Sequence, residues 1–235
     1  MFQNTLLFIN RNKYMLAIFG LLAGASLICL ILVGARIAVS DSGRYANLIW
    51  NLFLAWIPFV LAYAAYALSW SRRWLYLVIP VTAFLWLIFF PNAPYILTDL
   101  QHLARETTSA PLWYDVIMLV WFSWTGLLLG LVSLYFMHHI IQRTFGRVTG
   151  WGFVLIVSGL SSFGVYLGRF VRFNSWDLLQ APGELAVSIF GIVIDPSLRV
   201  VAFTSLFAVF YLFVYLTLYS FGHLLQEKES SLHAG

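Results

Sequence analysis

Long runs of apolar residues separated by short polar connections dominate the pattern along this chain. Most of these runs reach or approach the roughly 20 residues that a helix needs to cross the hydrocarbon of a bilayer. Their apolar positions do not alternate with polar ones, as they would in a half-buried strand. Because lipid supplies no hydrogen-bond partners, a spanning backbone must pair its own polar groups, and continuous runs do so as helices. The pattern predicts six spans, near residues 15–35, 47–68, 74–90, 115–137, 151–168 and 198–221.

Two further segments, near residues 94–106 and 183–195, are predicted to be interfacial or re-entrant pieces. The connections are short, and no polar stretch is long enough to form a separate domain. The expected fold class is therefore all-α: one polytopic transmembrane helix bundle over residues 1–235, with short interfacial helices added.

Composition excludes a soluble globular protein. Of the 235 residues, 62% are hydrophobic and only 9% are charged, whereas a soluble domain usually carries about 25% charged residues. The single cysteine, Cys29, allows neither an intrachain disulfide nor a cysteine metal cluster. The formal net charge of +4 is spread through short loops, which indicates membrane topology and no nucleic-acid partner. Membrane lipid is the expected environment and partner.

Charge in the connections predicts the orientation. The hairpins around Arg72-Arg73 and Arg143–Arg147 contain no acidic residue, while most acidic residues fall on the opposite side. We therefore expect both termini to be cytoplasmic. The first apolar run follows Arg11 and Lys13, as a signal peptide would, but it is longer than a typical signal-peptide core, which favours retention over cleavage.

Most of the informative polar residues are then predicted to lie at the outer face. The third span ends in Pro91-Asn92-Ala93-Pro94-Tyr95, where Asn92 is expected to cap a short helix. At α-helical spacing one face of that helix carries Tyr95, Asp99, His102 and Glu106, so the segment is predicted to be an amphipathic helix that lies on the membrane surface or folds back over the bundle. The face is either an ordinary solvated surface or an acid–base or metal cluster of Asp99, His102 and Glu106, whose donors suit a divalent ion.

The fourth span opens with Trp113-Tyr114-Asp115. Asp115 either caps the helix or points into an outer cavity. Asn47 and Asn51, near the start of the second span, either line the same cavity or bond to a neighbouring helix. His138 and His139, at the inner end of the fourth span, are expected to be exposed.

The segment from Gly168 to Asp177 is the strongest candidate for a site. Arg169 and Arg172, three residues apart, are expected on one helical face, where their charges repel unless an anion lies nearby. That anion is either an internal carboxylate or a ligand phosphate or carboxylate, which arginine binds in bidentate fashion. Alternatively the two side chains extend to lipid headgroups. The candidate catalytic residues are Asp99, Asp115 and Asp177, and the candidate ligand-binding residues are Asn92, Arg169, Arg172, Asn174 and Trp176.

Three glycine pairs have the spacing that lets helices approach closely: Gly20/Gly24, Gly126/Gly130 and Gly164/Gly168. No metalloprotease, serine-hydrolase or nucleotide-binding signature is present.

In combination, Pro91-Asn92-Ala93-Pro94-Tyr95, Thr98-Asp99, Trp113-Tyr114-Asp115 and the stretch from Arg172 to Asp177 resemble a family of bacterial multi-pass membrane proteins, domain-of-unknown-function family 1361. The resemblance covers most of the chain, roughly from the second span to the last. It implies an inner-membrane location in a bacterium, and it brings no activity, substrate or cofactor.

Three functions stay open. The first is an enzyme or lipid-modifying protein whose outer site takes an anionic or lipid-linked substrate. The second is a transporter, although its midplane would be nearly free of charge. The third is an accessory or structural subunit whose Arg–Asp pairs are internal. Protein partners, the reaction class and any metal are not specified by the sequence.

Overall fold

A computed structural model describes residues 2–40, 43–69, 72–104, 111–180 and 182–233. The helices, in chain order, are α1 (Phe2–Ser40), α2 (Asn47–Leu68), α3 (Arg72–Phe89), α4 (Asn92–Tyr95), a 3₁₀ helix (Ile96–Ala104), α5 (Leu112–Phe145), α6 (Arg147–Tyr166), a π-helical turn (Leu167–Val171), α7 (Asp177–Gln180), α8 (Pro182–Ile194) and α9 (Leu198–His233).

The predicted all-helical class and the number of spans are confirmed. Within the described residues, six helical stretches are long and apolar enough to cross a membrane: Met15–Ser40, Asn47–Leu68, Ile79–Leu103, Leu112–Phe145, Arg147–Val171 and Leu198–Gly222. Pro58 and Pro80 lie inside α2 and α3, which continue through them. The chain is an integral membrane protein because stretches of this length bury their backbone polar groups internally and present apolar side chains outward.

The chain divides into two compact units. Unit 1 comprises Met1–Val60 and Asn92–Ser133, and unit 2 comprises Leu61–Pro91 and Leu134–Gly235. In unit 1, side chains of α2 and α5 bond to α1: Trp56 Nε1 donates to Ser26 Oγ over 3.0 Å, and the Tyr114 hydroxyl donates to the Leu32 carbonyl over 2.8 Å. These bonds matter because an unpaired polar group is costly inside a bilayer.

Unit 2 is built around aromatic side chains between α6 and α9. Trp151, near the start of α6, packs edge-on against Tyr219, with ring centroids 5.0 Å apart. Tyr166, at the end of α6, packs against Phe203, near the start of α9, at 6.0 Å. The two helices are therefore antiparallel, and their facing sides form the core of this unit.

One glycine in each of two predicted pairs makes a close approach. A Cβ at Gly126 would lie 2.8 Å from the carbonyl oxygen of Ala93, and a Cβ at Gly164 would lie 2.6 Å from Cγ of Pro91. Only a residue without a side chain fits at those distances. At Gly20 and Gly24 no described atom lies within 4 Å of such a Cβ.

Candidate functional site

A buried ion pair joins α1 to α5 in unit 1. Arg36 Nε lies 2.6 Å from Asp115 Oδ1, and a second guanidinium nitrogen donates to Oδ2 over 3.3 Å. Only 2% of Arg36 and 4% of Asp115 are exposed. Planar two-point contact of this kind is the strongest geometry available to an arginine and a carboxylate. Asp115 lies in the first turn of α5, and Arg36 is its arginine partner.

Tyr45, in the connection between α1 and α2, completes this pair. Its hydroxyl donates to Asp115 Oδ2 over 3.3 Å. The guanidinium carbons of Arg36 and Arg44 lie 5.6 Å and 5.3 Å from the centre of its ring, within the range of a cation–π contact. Burial, with the nearby Asp115 carboxylate, raises the pKa of the Tyr45 hydroxyl above its ordinary value.

A second buried carboxylate in unit 1, Asp99, is only 1% exposed. Asn51 donates its amide to Asp99 Oδ2 over 2.9 Å, and His102 Nε2 lies 3.5 Å from Oδ1. Arg44 donates to the backbone carbonyl of His102 over 3.0 Å. Asn51 therefore bonds to a neighbouring element, one of the two alternatives that its sequence position left open.

The predicted amphipathic α-helix after Asn92 is wrong in its geometry. One α turn, Asn92–Tyr95, passes into a 3₁₀ helix over Ile96–Ala104. Side chains three residues apart lie above each other in a 3₁₀ helix, which places Asp99 and His102 together. Asp99 is buried, so this face is not simply solvated. Asn92, half-buried, is the first residue of the turn.

The structure describes only two of the three predicted metal ligands. Asp99 and His102 are neighbours, while Glu106 lies outside the described residues. Within the described part of the chain, no group of three or more His, Cys, Asp or Glu side chains has metal-binding geometry. A metal at Asp99, His102 and Glu106 stays a prediction.

In unit 2, the end of α6 has an uncommon backbone. The helix widens into a π-helical turn over Leu167–Val171, and Arg172 follows in the left-handed conformation at φ 69° and ψ 29°. The backbone N–H groups of Arg172 and Phe173 both donate to the Leu167 carbonyl. Glycine usually occupies such a position, because a side chain there costs about 1 kcal/mol.

The expectation that Arg169 and Arg172 share a helical face is therefore wrong. Arg169 is half-buried inside the π turn, whereas Arg172 lies beyond the helix and is exposed. The left-handed residue reverses the chain direction, so the spacing of three residues no longer has its helical meaning.

A short turn fixes the loop that follows Arg172. The Asn174 N–H donates to Asp177 Oδ2 over 2.6 Å, and the Asp177 N–H donates to the Asn174 carbonyl over 3.0 Å. Ser175 Oγ donates to the Ile88 carbonyl over 3.1 Å, which attaches the loop to α3. The Asn174 side chain is exposed, while Trp176 and Asp177 are half-buried. Asp177 thus holds the loop in shape.

His138 is a polar residue whose environment the sequence did not reveal. It was expected to be exposed, yet only 1% of it is. Its Nδ1 lies 2.7 Å from the Tyr215 hydroxyl, and its ring packs against Trp151 at 4.7 Å. The reason is that α5 continues to Phe145, so His138 lies two turns inside its end and faces α6 and α9.

These features define the class: a polytopic helical membrane protein with ion-paired carboxylates in one unit and an arginine-bearing helix end in the other. Residues 50–222 match the model of the family described as protein of unknown function, DUF1361, and the chain belongs to that family. Comparison with curated proteins and with solved structures gave no match. The matched range includes Asp115 and the loop after Arg172, whereas Arg36 and Tyr45 precede it.

Proposed function

We propose that this membrane protein binds an anionic group, a phosphate or carboxylate of a lipid or lipid-linked substrate, at the arginine-bearing end of α6. The carrying observation is the conformation of Arg172. An arginine held in a left-handed position costs free energy that glycine would not, and such strain persists at positions with a functional reason to keep the side chain.

The surroundings of Arg172 support this proposal. Two backbone bonds to Leu167 and the reciprocal bonds between Asn174 and Asp177 fix the loop before any ligand arrives. Preorganisation lowers the entropy that binding must overcome. Among the described residues, the Arg172 side chain has no hydrogen-bond or ion-pair partner, and Arg172 is an exposed residue. Its donors are therefore available for a ligand.

Three arginines lie at this end of unit 2, together with the carboxylate of Asp177, which is engaged in the loop. Arg169 lies in the π turn beside Arg172, and the guanidinium carbon of Arg199, the second residue of α9, lies 5.9 Å from the centre of the Phe170 ring. An anion at the loop would meet a field that several arginines shape together. With the orientation predicted from the connections, this end lies at the outer face of a bacterial inner membrane, where lipid headgroups are present.

Asp99 and Asp115 have another role in this proposal. Each already accepts hydrogen bonds from protein donors in unit 1. Their geometry supports structural carboxylates, as the accessory-subunit hypothesis requires, more than proton-transferring ones. Asp177 supports the binding loop, and Asn174 and Trp176 border the ligand.

The proposal is tested by Arg172→Gly with Arg147→Gly as the matched control. Both remove one exposed arginine, but Arg147 lies at the opposite end of α6. Binding of phosphatidylglycerol and of phosphatidylcholine to the detergent-solubilised protein is measured by native mass spectrometry. We expect Arg172→Gly to weaken phosphatidylglycerol binding about tenfold, as loss of a charge-assisted contact does, and to weaken phosphatidylcholine binding less, because its choline group already neutralises the phosphate.

The stability of the Arg172→Gly variant distinguishes a ligand-binding role of Arg172 from a structural role. Since glycine suits the left-handed conformation, the free energy of unfolding of Arg172→Gly should equal that of the wild type or exceed it by about 1 kcal/mol. Inorganic phosphate that competes with the lipid would identify the phosphate as the recognised group; lack of competition would point to recognition of the lipid as a whole. Equal phosphatidylglycerol binding by Arg172→Gly and the wild type would reject the proposal.

A further inference from the structure

Unit 2 contains a set of polar side chains inside its apolar span. We name this set the α6–α9 seam: His138 on α5, Ser158 and Ser161 on α6, and Thr204, Tyr211 and Tyr215 on α9. The antiparallel register fixed by Trp151 with Tyr219 and by Tyr166 with Phe203 places Ser158 level with Tyr211. The members of the seam on α6 and α9 therefore lie at neighbouring levels of the two antiparallel helices.

Five buried polar atoms of this seam have no hydrogen-bond partner in the described part of the chain: His138 Nε2, Ser158 Oγ, Ser161 Oγ, Thr204 Oγ1 and the Tyr211 hydroxyl. Tyr211 is 1% exposed, and Ser158 is fully buried. Unpaired polar atoms at membrane depth are costly, and several of them in one interface demand an explanation.

The usual way to satisfy a hydroxyl inside a helix is a bond to the carbonyl four residues earlier. Other hydroxyls of this chain do so: Ser26 bonds to Leu22, Thr125 to Trp121 and Ser162 to Ser158. Ser158, Ser161 and Thr204 do not, although each lies inside a helix. Their oxygens are buried and make no bond to their own helix among the described residues.

The chemistry of the seam limits its ligand. Its members are hydroxyls and one imidazole, and no charged side chain belongs to the set. At one end His138 Nδ1 is already bonded to Tyr215, so that only Nε2 is available, next to the backbone of Gly150. A neutral ligand that both donates and accepts hydrogen bonds suits every member, and the smallest is water, which usually makes about three such bonds in buried sites.

We propose that the α6–α9 seam is an internal hydration site, in which water molecules join Ser158, Ser161, Thr204 and Tyr211 and reach Nε2 of His138. Water held here gives unit 2 a hydrogen-bonded polar route inside its membrane-spanning part. Such a route is what a proton or a small polar solute requires to enter an apolar span, and it is independent of anion binding at Arg172.

The test is X-ray hydroxyl-radical footprinting of the wild-type protein in nanodiscs, with a bulk radical scavenger and mass-spectrometric readout. Radicals formed from bound water oxidise the side chains beside it. Trp86 is the internal control, because it is 1% exposed, belongs to the same unit and packs against the apolar rings of Phe90 and Phe153. After correction for intrinsic reactivity, Tyr211 should be oxidised at least about threefold faster than Trp86.

A matched pair of variants identifies the waters concerned. The double variant Ser158→Ala, Ser161→Ala removes hydroxyls that face the seam, whereas Ser162→Ala removes one that is bonded to its own helix. We expect the first to lower Tyr211 oxidation to the Trp86 rate and the second to leave it unchanged. Equal oxidation rates of Tyr211 and Trp86 in the wild-type protein would overturn the proposal, and this measurement does not depend on any variant folding. Equal effects of the double variant and of Ser162→Ala on Tyr211 oxidation would overturn it too.

Discussion

The ion pair between Arg36 and Asp115 allows a quantitative prediction. Removing one partner leaves the other charge buried, which typically costs about 3–5 kcal/mol. Both side chains are almost fully buried, and two hydrogen bonds of 2.6 Å and 3.3 Å join them. We therefore expect Arg36→Met and Asp115→Leu each to lower the free energy of unfolding by about 3–5 kcal/mol.

The double variant Arg36→Met, Asp115→Leu is expected to behave differently. Without either charge no desolvation cost remains, and replacing a buried pair by apolar residues is often neutral or stabilising. Tyr45 loses the acceptor of its hydroxyl, which costs about 1–3 kcal/mol. The double variant should therefore be more stable than either single variant, by about 1 kcal/mol or more.

SDS titration of the protein in mixed micelles, followed by far-UV circular dichroism, measures these free energies. Arg147→Met serves as the control, because Arg147 is an exposed arginine and a change there should stay within about 0.5 kcal/mol. Additive losses in the double variant, or single losses below about 1 kcal/mol, would refute the reasoning that this pair is a buried, coupled unit.

Three further outcomes are expected from the same unfolding measurement. Gly164→Ala should lower the free energy of unfolding by about 1–3 kcal/mol because the added Cβ overlaps a packed proline. Gly159→Ala, where no described atom lies within 4 Å of the added Cβ, should be neutral or stabilise the protein by up to about 1 kcal/mol. Equal effects of the two variants would contradict the close packing at Gly164. Asn51→Leu should cost about 1.5–3 kcal/mol through its lost bond to the buried carboxylate of Asp99, and a loss below about 0.5 kcal/mol would show that the bond contributes little. Folding raises the pKa of the Tyr45 hydroxyl from 10.0. Its contribution to the free energy of unfolding is therefore complete below pH 10 and disappears as pH rises through the higher folded pKa. Tyr45→Phe should flatten the decline of stability at alkaline pH, and an unchanged slope would argue against a buried hydroxyl.

The spans could be predicted from the sequence because their signal is local. About 20 consecutive apolar residues have one physical solution in a bilayer, and each run contains that information by itself. The partner of Asp115 is of another kind. Arg36 lies 79 residues away, and no periodicity shows which helices are neighbours. The available signal was Arg36 itself, a charge just inside the end of an apolar helix.

The backbone at Arg172 could not be predicted for a related reason. A left-handed C-cap is normally signalled by glycine, and an arginine in that position looks like one more helical residue. His138 was misjudged because the extent of α5 was underestimated: the predicted span ended at residue 137, whereas the helix continues to Phe145. The additional turns place His138 inside the packed part of unit 2.

The degree to which polar groups are satisfied suggests where function should be sought. In unit 1 the buried carboxylates Asp99 and Asp115 accept bonds from protein donors, and paired carboxylates of this kind make a structure specific and rigid. In unit 2 an exposed arginine is held in an unfavourable conformation, and buried hydroxyls have no partner among the described residues. Native proteins keep such costs mainly where a ligand or water repays them. Variants in unit 1 should therefore alter stability first, and variants of Arg172 or Ser158 should alter binding or hydration while the fold persists.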